Sequence, residues 1–294
     1  MPPRTLVATS APASSTIGID EVASSNRLWQ WCPRLIHRAV VDSTNSYLFR
    51  LLRNDPAIET WTTVVADHQS AGRGRYTRSW VDTPQTALLF STVVRAATEQ
   101  LGWVSLLAGI AMARVLRVHK ASVKWPNDVI VDGKKVAGIL TEHISHENDE
   151  HTVVLGVGLN IGTVPAQVGL NAGAIKVQQS TQTRDHLLTA FLSTYRSLLD
   201  QADLDTNPVP TTWVEEYTEL LIGLGQETTI HLASGETITA TVHGIDHDGA
   251  LIVRHGDAPL TITCGDVALA SPDNASTAGG ECARERKDGT HDEA

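Results

Sequence analysis

Cysteine is scarce in this chain: three stand among 294 residues, Cys32, Cys264 and Cys282. They lie far apart and outside any CxxC spacing, which argues against a disulfide framework or a thiolate zinc site and fits a reducing, cytoplasmic compartment. Long apolar runs are missing too. Nothing approaches the roughly 18 consecutive apolar residues that span a bilayer, and Met1 to Ser25 has no continuous apolar segment of the kind an export signal needs. Positive charge is in deficit: 23 Lys and Arg against 33 Asp and Glu give a formal net charge of −10. The overall field therefore repels polyanions, and neither nucleic acid nor a membrane is an expected partner. There is no Gly-x-x-x-x-Gly-Lys-[Ser/Thr] loop, no HExxH and no Gly-x-Ser-x-Gly elbow, which removes the P-loop, zincin and serine-hydrolase readings.

What is present is an ordinary hydrophobic share, 41%, enough for one full catalytic domain and a smaller one. The ends, residues 1–26 and 271–294, read as tails with little to bury. Ser43 to Leu52 reads as a helix capped by Asp42 or Ser43, with Tyr47, Leu48, Leu51 and Leu52 on one side. Leu106, Leu107, Ile110, Ala111 and Ala113 mark a longer helix. Val129 to Val131 and Lys135 to Leu140 predict a hairpin, since Asp132-Gly133 supplies the positive φ angles of a tight turn. From Val153 to Ile161 one strand face carries Val153, Leu155, Val157, Leu159 and Ile161, and the other carries Val154, Gly156, Gly158 and Asn160. A face so short of side chains implies something close against the backbone, either a ligand or another packed segment. Helical stretches follow around Leu187 to Leu199 and Trp213 to Leu221. Short β-type runs at Thr228 to Leu232, Thr237 to Val242, Ala250 to Val253 and Leu260 to Thr263 then predict a small β-barrel-like module.

Two segments carry most of the chemistry. In Gln69 to Trp80, glycines let the backbone approach an anion, Arg73, Arg75 and Arg78 offer planar forks of donors, and Trp80 offers a flat face to a heteroaromatic ring. A solvated basic loop with a half-buried tryptophan accounts for Gly-Arg-Gly-Arg taken alone. In Lys124-Trp125-Pro126-Asn127-Asp128, Pro126 stiffens the backbone beside a lysine, which suits an ammonium that must stabilise developing charge. Asn127 and Asp128 are either turn residues or groups that orient substrate and Mg²⁺. Asp42-Ser43-Thr44-Asn45 places hydroxyls and an amide at a helix N-terminus, where plain capping and ligand binding are equally good accounts. His143, His146 and His151, with Glu142 and Glu147, read as loop residues and not as a metal site.

Taken in order, Asp42 to Asn45, Gln69 to Trp80, Lys124 to Asp128, Lys135 to Leu140 and Gly156 to Asn160 resemble the biotin protein ligase family, in a form without an N-terminal DNA-binding domain. The resemblance implies an α/β (α+β) catalytic domain on a mixed central sheet at residues 27–222 and a small SH3-like β-barrel at 223–270. It implies an ATP-dependent, amide-forming ligase: biotin and ATP, with Mg²⁺, give biotinyl-5'-AMP, and biotin passes to a lysine of the biotin carboxyl carrier domain of acyl-CoA carboxylases. On the family pattern Ser43, Thr44, Asn45 and Gln69 hold biotin's polar ureido end, Gly156 and Gly158 give its ring room, Gly138 is a further biotin-binding position, and Arg73, Gly74 and Arg75 close over the adenylate. Lys124, with Arg73, is the catalytic cation, bridging biotin carboxyl and α-phosphate; Trp80 stacks on adenine; Asn127 and Asn160 support the nucleotide; Asp128 is the candidate for Mg²⁺. The family's glycine is replaced by Thr77, which disfavours a positive φ there. The rival readings are a lipoyl or octanoyl transferase of the same fold and a non-catalytic biotin sensor.

Overall fold

A computed structural model describes residues 32–147, 149–203, 208–256 and 258–268. The expected tails, 1–26 and 271–294, and Cys282 lie outside the described residues. Seven strands form one mixed sheet in the order β1-β2-β3-β7-β6-β5-β4. They are β1 (Leu35–Val41), β2 (Thr63–Gln69), β3 (Ala87–Ala97), β4 (Ser122–Lys124), β5 (Asp128–Val131), β6 (Lys134–Glu147) and β7 (Glu150–Asn160). Only β1 and β2 pair parallel; every other neighbour pair is antiparallel.

The two faces of β7 divide the molecule as the sequence pattern predicts. Val153, Leu155, Val157 and Leu159 enter the main core with Phe90 and Val94 of β3. Against that core lie α2 (Trp103–Val115) and α3 (Thr181–Leu199), the first so enclosed that Leu106 to Ala113 are all buried. The opposite face meets α1 (Thr44–Asn54), whose Leu48 and Leu52 pack with Val64, Val93 and Val154 in a second cluster. On this second face Ser91, Gly156 and Leu140 stand side by side across three strands, as do Leu89, Gly158 and Gly138. The glycine row leaves a trough beyond the end of α1.

The β5–β6 hairpin turns at Asp132-Gly133, with φ of 50° and 71°, as the Asp-Gly signal requires. The sequence reading of His143, His146 and His151 as loop residues is corrected: β6 runs on to Glu147 and β7 starts at Glu150, so all three sit on a long, polar hairpin. Cross-strand pairing, not apolar alternation, holds that extension.

After α4 (Thr211–Leu220), five antiparallel strands form a second sheet in the order β11-β10-β9-β8-β12. They are β8 (Glu227–Leu232), β9 (Thr237–Ile245), β10 (Leu251–His255), β11 (Ala258–Ile262) and β12 (Gly265–Val267), the SH3-like module of the expected fold class. This module is docked by two tryptophans of the larger unit. Trp103 Nε1 donates to His247 O (2.6 Å) and Trp125 Nε1 donates to Gly249 O (3.0 Å), satisfying buried indole donors that would otherwise be costly. No described helix is long and apolar enough to cross a membrane.

Candidate active site

Gly72 to Trp80 is a small hairpin. Gly74 N–H donates to Arg78 O (2.8 Å), Trp80 N–H donates to Gly72 O (3.0 Å), and Arg73 bridges Ser79. The glycines serve the hairpin itself: a Cβ on Gly72 would collide with Trp80 O, and one on Gly74 would lie 3.2 Å from Arg78 O. The left-handed residue is Tyr76, with φ of 58°, and Thr77 is not among the positive-φ residues. The β-branched residue at 77 therefore carries no left-handed backbone strain.

The hairpin folds over the trough to enclose a cavity of about 120 Å³. Ser43, Thr44, Asn45 and Gln69 line one end and Arg73, Arg75, Arg78 and Trp80 the roof, with Asn127, Asp128, Lys135, Gly138, Gly156 and Gly158 among the other lining residues. At the first end the side chains are tightly held. Gln69 Oε1 accepts from Thr44 N–H (2.8 Å) and from its hydroxyl (3.1 Å), so a first-turn amide of α1 is satisfied by a residue from β2 rather than by Ser43, whose side chain makes no capping bond. Gln69 N–H in turn donates to the buried Asp82 carboxylate (3.2 Å). Ser91 Oγ lies 2.7 Å from Thr44 Oγ1 and 2.6 Å from Asn45 Oδ1, sharing one proton between two oxygens.

Side chains from distant segments lie close against the bare strand face. A Cβ on Gly156 would collide with Asn45 Oδ1, and one on Gly158 would lie 2.6 Å from the Trp80 indole. Gly156 and Gly158 both line the cavity and at the same time seat Asn45 and Trp80, which also face it. Gly138 has the same relation to Trp80, at 3.0 Å, and to the Lys135 side chain, at 3.1 Å. Trp80 Nε1 is buried without a partner, a donor left for whatever enters.

Lys135, not singled out from sequence as a site residue, lines the cavity, with Nζ 2.6 Å from Asp128 Oδ1 and 5.9 Å from the Trp80 ring centre. The contact with Asp128 is a close ion pair and not an aligned hydrogen bond, since Oδ1 lacks a geometric donor. Lys124 does not line the cavity. Its ammonium is buried and points at the C-terminal module, where it donates to Asp266 Oδ1 (2.6 Å) and Val267 O (2.8 Å), with Asp128 Oδ2 at 3.3 Å. Asp128 is thus flanked by two ammonium groups, which leaves it poorly placed as a metal ligand; among the described residues no cluster of three or more His, Cys, Asp or Glu is arranged to hold a metal ion. Asn127 lines the cavity while its Nδ2 donates to Ile139 O (2.7 Å). Asn160, buried, spends Nδ2 on Gly173 O (2.9 Å) and stands outside the lining.

The hairpin is gripped from the C-terminal side. Arg78 pairs with Asp266 Oδ2 (2.8 Å), Arg75 donates to Gly265 O (3.0 Å), and Tyr76 Oη lies 3.6 Å from Cys264 Sγ. Burial works against the Asp266 carboxylate, but the charge and hydrogen bond of Lys124, aided by Arg78, outweigh it and hold its pKa below the ordinary value.

Residues 38–160 match the model of the biotin/lipoate A/B protein ligase family, and residues 223–269 match that of the biotin protein ligase C-terminal domain. A biotin--[acetyl-CoA-carboxylase] ligase from Mycobacterium tuberculosis is 30% identical over 239 residues, 78% of this chain and 86% of its own. Another, from Paracoccus denitrificans, is 32% identical over 239 residues, 74% of this chain and 92% of its own. This chain belongs to the biotin protein ligase family. A biotin protein ligase from Aquifex aeolicus, in complex with biotin and ATP, shares the fold with a TM-score of 0.65 at 24% identity, covering 81% of this chain and 98% of that one. The C-terminal match separates this ligase from the lipoate branch of the wider family, and membership in an enzyme family sets aside the reading as a mere sensor.

Proposed function

We propose that this biotin protein ligase joins biotin to ATP in the cavity beneath the arginine hairpin and then transfers it to a carrier lysine. The observation that carries the reading is the joining, in one cavity, of a neutral hydrogen-bonding end at Thr44, Asn45 and Gln69 to a cationic, aromatic end at Arg73, Arg75, Lys135 and Trp80. The first suits a cyclic urea, and the second suits a carboxylate meeting a nucleotide phosphate.

A biotin carboxylate oxygen attacks the α-phosphate, the bond to the β-phosphate breaks, and pyrophosphate leaves. The carrier amine then attacks the acyl carbon of the mixed anhydride and AMP leaves. Both reactants of the first step are anions, so positioned donors lower the barrier by offsetting charge that builds between them. Mg²⁺ arrives with ATP as part of the substrate. Lys135 already faces this region, whereas Lys124 reaches it only by leaving Asp266, so we assign the direct contact to Lys135 and to Arg73. Trp80, over Gly158, is the adenine platform, with Arg75 and Asn127 beside it; Ser43, Thr44, Asn45 and Gln69 take the polar end of biotin. We take residues 27–222 as the catalytic unit and 223–270 as the unit that closes on it. The partner is the biotin carboxyl carrier domain of a cytoplasmic acyl-CoA carboxylase.

Biotin-dependent ATP–pyrophosphate exchange tests the reading. Intact protein exchanges with biotin and not with lipoate; Lys135→Ala lowers the rate by about 10²–10³, as removal of one positioned donor does, and Lys124→Ala lowers it less. Absence of exchange in folded intact protein, or a larger loss for Lys124→Ala, would overturn the function or the lysine assignment respectively.

A further inference from the structure

Glu142 lies behind the cavity and outside its lining, yet touches both of its ends. One of its oxygens, Oε2, accepts from Asn45 Nδ2 (2.9 Å) and from Arg73 (3.1 Å), and the other, Oε1, stands 2.7 Å from the second terminal nitrogen of Arg73. The Asn45 amide is therefore fixed: Nδ2 faces two acceptors, Glu142 Oε2 and Leu140 O (3.2 Å), and Oδ1 faces the Ser91 hydroxyl. Rotating the amide by half a turn would set its carbonyl against a carboxylate and a carbonyl, three acceptors with no proton between them. The guanidinium of Arg73 is fixed by the same group, in the forked geometry that a carboxylate imposes. Glu142 stands on the β6 face that also carries Gly138 and Leu140, and the hydrogen-bonded strands β6 and β7 give it a rigid base.

We propose that Glu142 is a positioning residue that couples recognition of biotin's polar end to closure of the arginine hairpin. The inference rests on the function proposed above. By holding Asn45 in a single orientation it presents that amide to the ligand already aligned, and by holding Arg73 it anchors the near arm of the hairpin to the same point. A neutral amide at 142 cannot keep the whole set: with its oxygen in the Oε2 place it still meets Asn45 and one Arg73 nitrogen, but its NH2 then faces the second Arg73 nitrogen, donor against donor, and that clash drives the amide off the position from which it holds both partners.

Calorimetric binding of biotin to the full chain, with ATP absent, tests this. Glu142→Gln weakens biotin by about tenfold or more, the scale of a charge-assisted network, at an unchanged thermal midpoint. Glu142→Asp, whose shorter carboxylate reaches either partner but not both, falls between. The decisive measurement is the cycle with Asn45→Ala: if Glu142 acts through Asn45, the double variant binds biotin about as weakly as Asn45→Ala alone. Additive losses, or biotin affinity unchanged in Glu142→Gln, overturn the positioning role. Failure of the unmodified chain to bind biotin would instead overturn the proposed function itself.

Discussion

Lys124 and Lys135 flank one carboxylate, Asp128, and end in different surroundings. The sequence favours Lys124, because Trp125-Pro126 makes its neighbourhood stiff. Stiffness does set its direction, but toward Asp266 and Val267, and nothing local in the chain records that a carboxylate from the last described strand stands there. Lys135 opens the second strand of the Asp-Gly hairpin, and nothing in that local pattern marks its side chain for the site; Gly138, without a side chain, stands near it. Gly156 and Gly158 show how far a residue-level reading reaches. A depleted strand face was evident from alternation, but whether ligand or protein fills it depends on Asn45 and Trp80, which arrive from distant segments. A methyl group at 156 must push Asn45 away from its place over the sheet. Gly156→Ala is expected to cost about 1–3 kcal/mol of stability, as overpacking does, and to weaken biotin far more than ATP in steady-state KM values. Equal loss for both substrates would show that the strand, and not Asn45, had moved.

Among the elements, those with a regular solvent side were readable and those without one were not. β7, α1 and the β5–β6 hairpin follow from alternation, an apolar stripe and an Asp-Gly turn. β3 has Ala87 to Val94 buried on both faces, so no alternation marks it; β4 and β12, at three residues each, are too short for any periodicity. The polar end of the β6–β7 hairpin misleads in the opposite sense, since its strands extend beyond the core and need no apolar face. The β5–β6 turn bears on function because it sets the pairing of Ile130 with Lys135, and a one-residue register shift between Val129 and Ile130 then puts Asp128 opposite Gly138. Gly133 has φ of 71° and nothing within 4 Å of the Cβ position, so Gly133→Ala isolates the backbone cost from any clash. Denaturant unfolding should show a loss of about 1–2 kcal/mol, the strain of a left-handed alanine, with the slope unchanged. No loss would mean that the turn relaxes to another type.

At the scale of the molecule, composition indicated two unequal units, but not that the smaller one supplies groups to the larger one's site. The segment Cys264 to Val267 reaches Tyr76, Arg75, Arg78 and Lys124 together, so the arginine hairpin is held between the catalytic sheet and the C-terminal module. Asp266 is the charged centre of that contact, and its depressed pKa fixes the pH range over which it acts. A carboxylate whose folded pKa lies below its unfolded one contributes fully above the unfolded value and loses that contribution as pH falls through the folded value. The destabilisation caused by Asp266→Asn, read as the difference in thermal midpoint from the unmodified chain, is therefore expected to be constant from neutral pH down to about 4, where ordinary carboxylates begin to protonate, and to shrink below it. With the carboxylate gone, Lys124 and Arg78 keep two positive charges side by side, and Lys124 is buried. Hydrogen exchange of the hairpin amides should then rise by roughly tenfold or more, the effect of losing about 1.4 kcal/mol of closure. A hairpin equally protected in the variant would mean that the catalytic sheet alone holds the roof of the cavity.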